Sequence, residues 1–238
     1  MPKKTAKPHS GTLTLLVIAL LAALIAASAV AAGGARENGW FLTPRREHEP
    51  KAAGLLTLVN TQNPLESGYV PPLTEIENGY SADPRCAEAL SEMLADCRAA
   101  GLSPMICSAY RSEEAQRTLF EDKVARVLET RGCSEAEAEK IAAQEVARPG
   151  TSEHQLGLAA DIVDETYMQL DAAQEDTAVQ QWLMAHCHEY GFILRYPTGK
   201  SHLTGIVYEP WHYRYVGEEA AREMAESGKC FEEYLAFR

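Results

Sequence analysis

The longest uninterrupted apolar run lies near the start of the chain. Thr12–Ala32 is twenty-one residues without a charge, close to the roughly 20 apolar residues a helix needs to cross a bilayer core. After it the pattern changes. Residues 33–52 are polar, carry Gly33-Gly34, Pro44 and Pro50, and show little apolar periodicity, so a flexible linker is predicted there. From residue 53 onward apolar positions recur at the spacings of helices and strands. Leu55–Val59 is a short apolar run, a candidate strand. Asn60–Tyr80 is rich in Pro, Asn and Gly and reads as an extended loop. Asp83-Pro84 places an N-cap residue before a proline at the first helical position. Cys86, Leu90, Met93, Leu94 and Cys97 then form a stripe at helical spacing, so a helix is predicted to about Ala100, ended by Gly101.

Pro104–Ala109 is β-rich. Ser112 caps a second predicted helix, with Glu113 and Glu114 in the first turn where the helix dipole favours acids. Its buried face is Leu119, Phe120, Val124, Val127 and Leu128, and Gly132 ends it. Ser134–Val146 is a third helix, polar and alanine-rich, expected on the surface. Arg148-Pro149-Gly150 breaks the chain. Ala159–Val163, Phe192–Tyr196 and Thr204–Tyr208 are strand candidates, and Ala178–Tyr190 and Glu218–Glu226 helical ones. Helices cluster before strands rather than alternating with them. The expected class is α+β, a small central antiparallel sheet covered by helices, plus the N-terminal transmembrane helix.

Charge sharpens the division. Residues 1–51 hold seven basic and three acidic residues, leaving 15 basic and 31 acidic in the remainder of the 238, a net of −16. That sign repels nucleic acid and anionic lipid, so neither is an expected partner of the globular part. Lys3, Lys4 and Lys7 precede the apolar run with no acid among them, which places residues 1–11 in the cytoplasm as a basic tail. Residues 12–32 are then a transmembrane anchor or, given the small-x-small sites Ala27-Ser28-Ala29 and Ala29-Val30-Ala31, a cleaved signal peptide. Both readings export residues 53–238. The first makes the protein a single-pass cell-membrane protein with an extracytoplasmic domain; the second makes it secreted.

The six cysteines include no C-x-x-C pair, so neither a zinc ribbon nor a thioredoxin-type site is supported. Cys86 and Cys97 fall eleven residues apart in one predicted helix, about 16 Å along its axis and beyond the ~7 Å Cα limit for a bridge. Disulfides among the rest and buried free thiols both remain open.

Two segments concentrate metal-ligand residue types: Ser152-Glu153-His154-Gln155-Leu156-Gly157-Leu158-Ala159-Ala160-Asp161, and Tyr208-Glu209-Pro210-Trp211-His212-Tyr213-Arg214-Tyr215-Val216-Gly217. A catalytic zinc takes three protein ligands and keeps a position open for water. His154, Asp161 and His212 supply that number from suitable types. Glu209 is a spare carboxylate near a ligand, what an activated water needs as proton acceptor. The spacing alone is a short pattern, and histidines of other kinds fit it too. On a regular strand Glu209 and His212 would face opposite sides; they converge only where Pro210 marks a bend or a strand end.

Both segments resemble the signatures of VanY-type D-alanyl-D-alanine carboxypeptidases, in the wider group of zinc peptidases that includes lysostaphin and the hedgehog zinc domain. The pattern S-x-H-x-x-G-x-A-x-D is matched by Ser152, His154, Gly157, Ala159 and Asp161, and E-P-W-H-x-R-Y-V-G by Glu209 through Gly217. Ser108-Ala109-Tyr110-Arg111-Ser112 with Gln116, and Phe192 through Pro197, are family-like as well. The resemblance spans about residues 53–238 and implies a zinc carboxypeptidase domain with one Zn2+. By it, His154, Asp161 and His212 hold the metal and Glu209 is the catalytic base. Arg111 stabilises the oxyanion or grips the substrate, and Ser152 and Gln116 contact the substrate's terminal carboxylate or backbone. Trp211 is expected in the cleft wall, lining the substrate groove. Arg214 is expected to pair with an acidic neighbour, and Asp164 and Glu165 to be solvated.

The expected substrate is the peptidoglycan stem peptide, from which a monomeric enzyme removes the C-terminal D-alanine. Three alternatives stand beside this D,D activity: L,D activity on tetrapeptide stems, an endopeptidase with a groove open at both ends, and a non-catalytic zinc-stabilised cell-wall-binding module.

Overall fold

The computed structural model describes residues 53–237. The predicted tail, transmembrane or signal segment and linker lie outside the described residues. Among the described residues no helix is long and apolar enough to cross a membrane.

The chain builds an α+β fold. A two-stranded antiparallel ribbon, β1 (Thr74–Glu75) and β2 (Ser81–Ala82), leads into α1 (Pro84–Ala99). Strand β3 (Pro104–Ser108) is followed by α2 (Glu113–Arg131) and α3 (Glu135–Ala142). Then come β4 (Ala159–Asp164), α4 (Ala178–His186), β5 (Phe192–Leu194), the single turn α5 (Ser201–Thr204), β6 (His212–Tyr215), α6 (Glu218–Ser227) and α7 (Phe231–Ala236). The main sheet is antiparallel throughout, in the order β3-β4-β6-β5.

Helix α1 forms where its signals predict. The Asp83 carboxylate accepts from Arg85 N, Pro84 opens the helix, and its five stripe residues are all buried. Their partners are one face of the sheet and α4. Ala160 and Ile162 of β4, Tyr213 of β6 and Phe192 of β5 share a core with Leu90, Met93, Leu94, Val179 and Leu183. Side chains alternate along a strand, so Asp161 of β4 and His212 and Arg214 of β6 point to the other face. Helices α6 and α7 close part of that face with a second cluster: Ile193, Val216, Ala220, Ala221, Met224, Phe231 and Tyr234. The part around Asp161 and His212 opens to a cleft.

Several expectations change. Leu55–Val59 is not a strand: Gly54 O accepts from Thr57 N in a tight turn, and the carbonyls of Leu55 and Thr57 accept from the Arg214 guanidinium instead of a neighbouring strand. Thr204–Tyr208 is not a strand either, because the turn of α5 ends at Gly205 with φ 78 and Thr204 Oγ1 accepts from Ile206 N. The third helix stops at Ala142, and it is not merely a surface helix, since Ala138 and Ala142 are fully buried. Asp164 is buried rather than solvated, its carboxylate accepting from Thr166 N and Oγ1. The short helix α7, capped by Glu233 on Cys230 N, has no counterpart in the sequence reading. All six cysteines lie in the described region and are free.

Candidate active site

Three local structures deliver the site. The first is sheet register. Asp161 on β4 pairs directly with His212 on β6, while Ser108 on β3 pairs with Asp161 across a bulge. Directly opposed residues of an antiparallel pair have Cβ atoms about 4.5–5.5 Å apart, so Asp161 and His212 meet by strand pairing alone. The second is a tight turn through Glu209-Pro210-Trp211-His212, closed by His212 N donating to Glu209 O at 3.2 Å. Proline suits the second position of such a turn. The turn ends where β6 begins, so Glu209 and His212 share a side: Glu209 Oε2 lies 3.7 Å from His212 Nδ1.

The third is a 3-10 turn over Glu153–Leu156 that carries His154. Gly157 ends it with φ 71, and a Cβ there would meet Asp83 N at 3.0 Å. Glycine permits both the left-handed backbone and the close approach, which Asp83 N uses to donate to Gly157 O at 2.8 Å. His154 O accepts from Arg111 N, and His154 Nδ1 sits 2.6 Å from Ala109 O. A carbonyl only accepts, so Nδ1 carries the proton and Nε2 presents its lone pair.

The donor atoms converge. Asp161 Oδ2 is 3.2 Å from His154 Nε2 and Asp161 Oδ1 is 3.1 Å from His212 Nδ1, and one ligand atom from each residue lies within 4.8 Å of the others. Donors that share a tetrahedral zinc at about 2.1 Å stand about 3.4 Å apart. Asp161 Oδ1 is buried without a hydrogen-bond partner, and the imidazoles meet edge to face at 4.9 Å and 86°. Two imidazoles and one carboxylate around a common point fit a divalent metal, zinc in particular.

Electrostatics follow from burial and neighbours. Burial works against ionised Asp161, but His154 and His212 outweigh it and hold its carboxyl well below the usual range. Burial lowers His154. It opposes the charged form of His212 too, yet Asp161 and Glu153 together raise that imidazole to about 9. Glu209 is pushed up to about 8, chiefly by burial, with His212 pulling down and Asp161 pushing up.

Around this centre lies a cleft of about 770 Å³, lined by Arg111, Gln116, Ser152, Glu209 and Trp211 among others. Arg111 is held over Asp161, Nη2 at 3.8 Å from Oδ2, by donating to Ser108 Oγ and Gln116 Oε1. Gln116 is buried, and its amide N–H donates to Ala147 O, so one end accepts from Arg111 while the other is anchored to the backbone. The Ser152 side chain makes no cap bond within its turn, and the residue lines the cleft. Trp211 is buried in the wall. Arg214 pairs with Glu153 at 2.9 Å, as expected of it. Two neighbours of His212 are not singled out by sequence reasoning: Tyr196, whose ring lies 4.8 Å from the imidazole, and Glu153. Glu153 lies inside the first metal segment and Tyr196 in a family-like stretch, but neither pattern says which side chain reaches His212.

Residues 80–218 match the VanY D-alanyl-D-alanine carboxypeptidase family. A D-alanyl-D-alanine carboxypeptidase of Enterococcus faecalis (strain ATCC 700802 / V583) is 40% identical over 194 residues, covering 82% of this chain and 70% of the relative. Among solved structures, VanY from a VanB-type vancomycin-resistance cassette in complex with Zn(II) superposes with a TM-score of 0.68 at 42% identity, over 76% of this chain and 98% of that one. VanYB in complex with D-alanine-D-alanine gives 0.69 at 42% identity, over 76% and 97%. The LD-carboxypeptidase LdcB gives 0.68 at 33% identity, over 76% and 86%. With this family match on its sequence and this agreement in fold, the chain belongs to the VanY D-alanyl-D-alanine carboxypeptidase family.

Proposed function

We propose that this protein is a zinc carboxypeptidase that removes the terminal D-alanine from peptidoglycan stem peptides, acting on a D-alanyl-D-alanine end. The observation that carries the reading is the convergence of His154, Asp161, His212 and Glu209 on one point of a cleft that also holds Arg111. His154, Asp161 and His212 are the metal ligands in this reading. A zinc ion held there would supply Lewis-acid chemistry, polarising a carbonyl and lowering the pKa of water to about 7.

The chain's own groups do the rest. Glu209 takes the proton from the attacking water and passes it to the leaving amine. A divalent cation nearby counters the burial that raises this carboxyl, favouring its base form. Arg111, rigidly held by Ser108 and Gln116, presents a fixed positive charge to the developing oxyanion or to the substrate carboxylate. Ser152 offers a hydroxyl to the peptide, Gln116 contributes by holding Arg111, and Trp211 walls the groove.

The closest competing reading is L,D activity on tetrapeptide stems, since LdcB, an LD-carboxypeptidase, has a similar fold. A binding module without catalysis is disfavoured by Glu209, which that role does not need. Defined tri-, tetra- and pentapeptide stems, incubated with and without chelator, separate the three. The D,D reading expects alanine release from the pentapeptide only, lost on chelation and restored by zinc. Release from the tetrapeptide alone supports the L,D reading, and binding without release the module.

The enzyme works outside the cytoplasm as a monomer, tethered by residues 12–32 with the basic tail inside. The uncharged run and the lysines before it support the export and the tether. Fractionation of cells expressing the full chain tests it: membrane-bound protein open to external protease is expected. Soluble protein in the medium favours the cleaved signal, and protein protected inside the cell overturns export.

A further inference from the structure

Directly behind His212 lie buried charges that the mechanism above does not use. Glu153 is 0% exposed, Arg195 1% and Arg214 0%. Arg195 Nε and Arg214 Nη1 converge on the same Glu153 oxygen, Oε1, at 2.8 and 2.9 Å. Arg195 also forms a two-pronged pair with Glu232 of α7, at 3.0 and 2.6 Å. Arg214 donates to the carbonyls of Leu55, Thr57 and Tyr215. Two glutamates and two arginines make a cluster of zero net charge, the condition under which buried charges are tolerated.

The arginines occupy Oε1 and leave Oε2 turned towards His212. Glu153 Oε2 is 3.7 Å from His212 Nε2, and neither atom has any other hydrogen-bond partner among the described residues. On its other side His212 presents Nδ1 to Asp161. An imidazole that ligates through Nδ1 carries its proton on Nε2, and a buried N–H requires an acceptor. Glu153 stands where that acceptor is needed. A side-chain adjustment of about 0.5 Å brings the pair within ordinary hydrogen-bond distance.

We propose that Glu153 is a positioning residue for the metal site: held by Arg195 and Arg214, it accepts the Nε2–H of His212 and so fixes the tautomer and orientation in which Nδ1 faces the metal. Arg195 and Glu232 extend the linkage to α7, so the C-terminal helix braces a metal ligand. Carboxylates placed behind ligating histidines are worth roughly 10–100-fold in metal affinity or activity.

The inference rests on His212 being a metal ligand, and the test separates the two. Zinc affinity is measured by chelator competition for the parent, for Glu153→Gln and for the double variant Glu153→Gln/Arg195→Met. The double variant keeps the cluster neutral and so protects folding. Both variants are expected to bind zinc about 10–100-fold more weakly, with the double variant's metal-free melting temperature near that of the parent. Parent that binds zinc while a folded variant matches it within about twofold overturns this inference alone. Parent that binds no zinc overturns the metal reading and this inference with it. Should neither variant fold, ring 1H–15N spectra of the zinc-loaded parent decide: a protected Nε2–H on His212 supports the proposal, and an Nε2 that is unprotonated or rapidly exchanging overturns it.

Discussion

Glu209 reaches its place through a four-residue turn rather than along a strand, and burial raises its carboxyl to about 8 even with His212 3.7 Å away. Replacing it with Gln removes the proposed proton acceptor but none of the proposed metal ligands. Turnover is expected to fall about 10²–10⁴-fold or more while metal analysis still finds one zinc per chain. Retained turnover contradicts the assignment of the base. Arg111 is held by two side chains and sits 3.8 Å from Asp161. Arg111→Ala is expected to lower kcat about 10²–10³-fold if the guanidinium stabilises the oxyanion, and mainly to raise KM if it grips the substrate carboxylate; steady-state kinetics divide the two. The residue types at these positions were legible in the sequence, because two dense segments carry them. Glu153 was not. A carboxylate next to a histidine looks solvated in one dimension, and nothing there says that two arginines, one 42 and one 61 positions on, will bury it.

At the level of elements, legibility followed the strength of local signals. Helix α1 was readable because its cap, its proline and its apolar stripe agree. Leu55–Val59 was misread because its apolar run resembles a strand while its carbonyls go to an arginine far along the chain. Strand β6 was hidden inside a chemical motif, yet its register with β4 places Asp161 opposite His212. The turn that carries His154 depends on Gly157. Gly157→Ala is expected to destabilise the fold by about 1–2 kcal/mol from backbone strain alone, with more from the approach to Asp83 N; denaturant titration measures it. Helix α7 carries a pH dependence. The Glu233 carboxylate accepts from Lys200 and from Cys230 N, which lowers it to about 2. A depressed carboxyl stabilises the fold above its ordinary range near 4 and loses that contribution as pH falls through its folded value. The melting-temperature gap between the parent and Glu233→Gln, present at pH 7, is therefore expected to close as the pH approaches 2. The gap should be small, because the Lys200–Glu233 pair is partly open to solvent.

For the whole molecule, one sheet serves two purposes. One face is packed against α1 and α4, and the other carries the site, closed off by α6 and α7 except at the cleft. Asp161 and His212, on paired strands, are thus held by the same hydrogen bonds that stabilise the fold. In the proposed function one zinc site cuts one terminal peptide bond. Mass spectrometry of the products from a defined pentapeptide stem tests it most directly. Release of a single D-alanine is expected, abolished by chelator and by Glu209→Gln. Cleavage within the peptide, or alanine release that persists without metal, would contradict it.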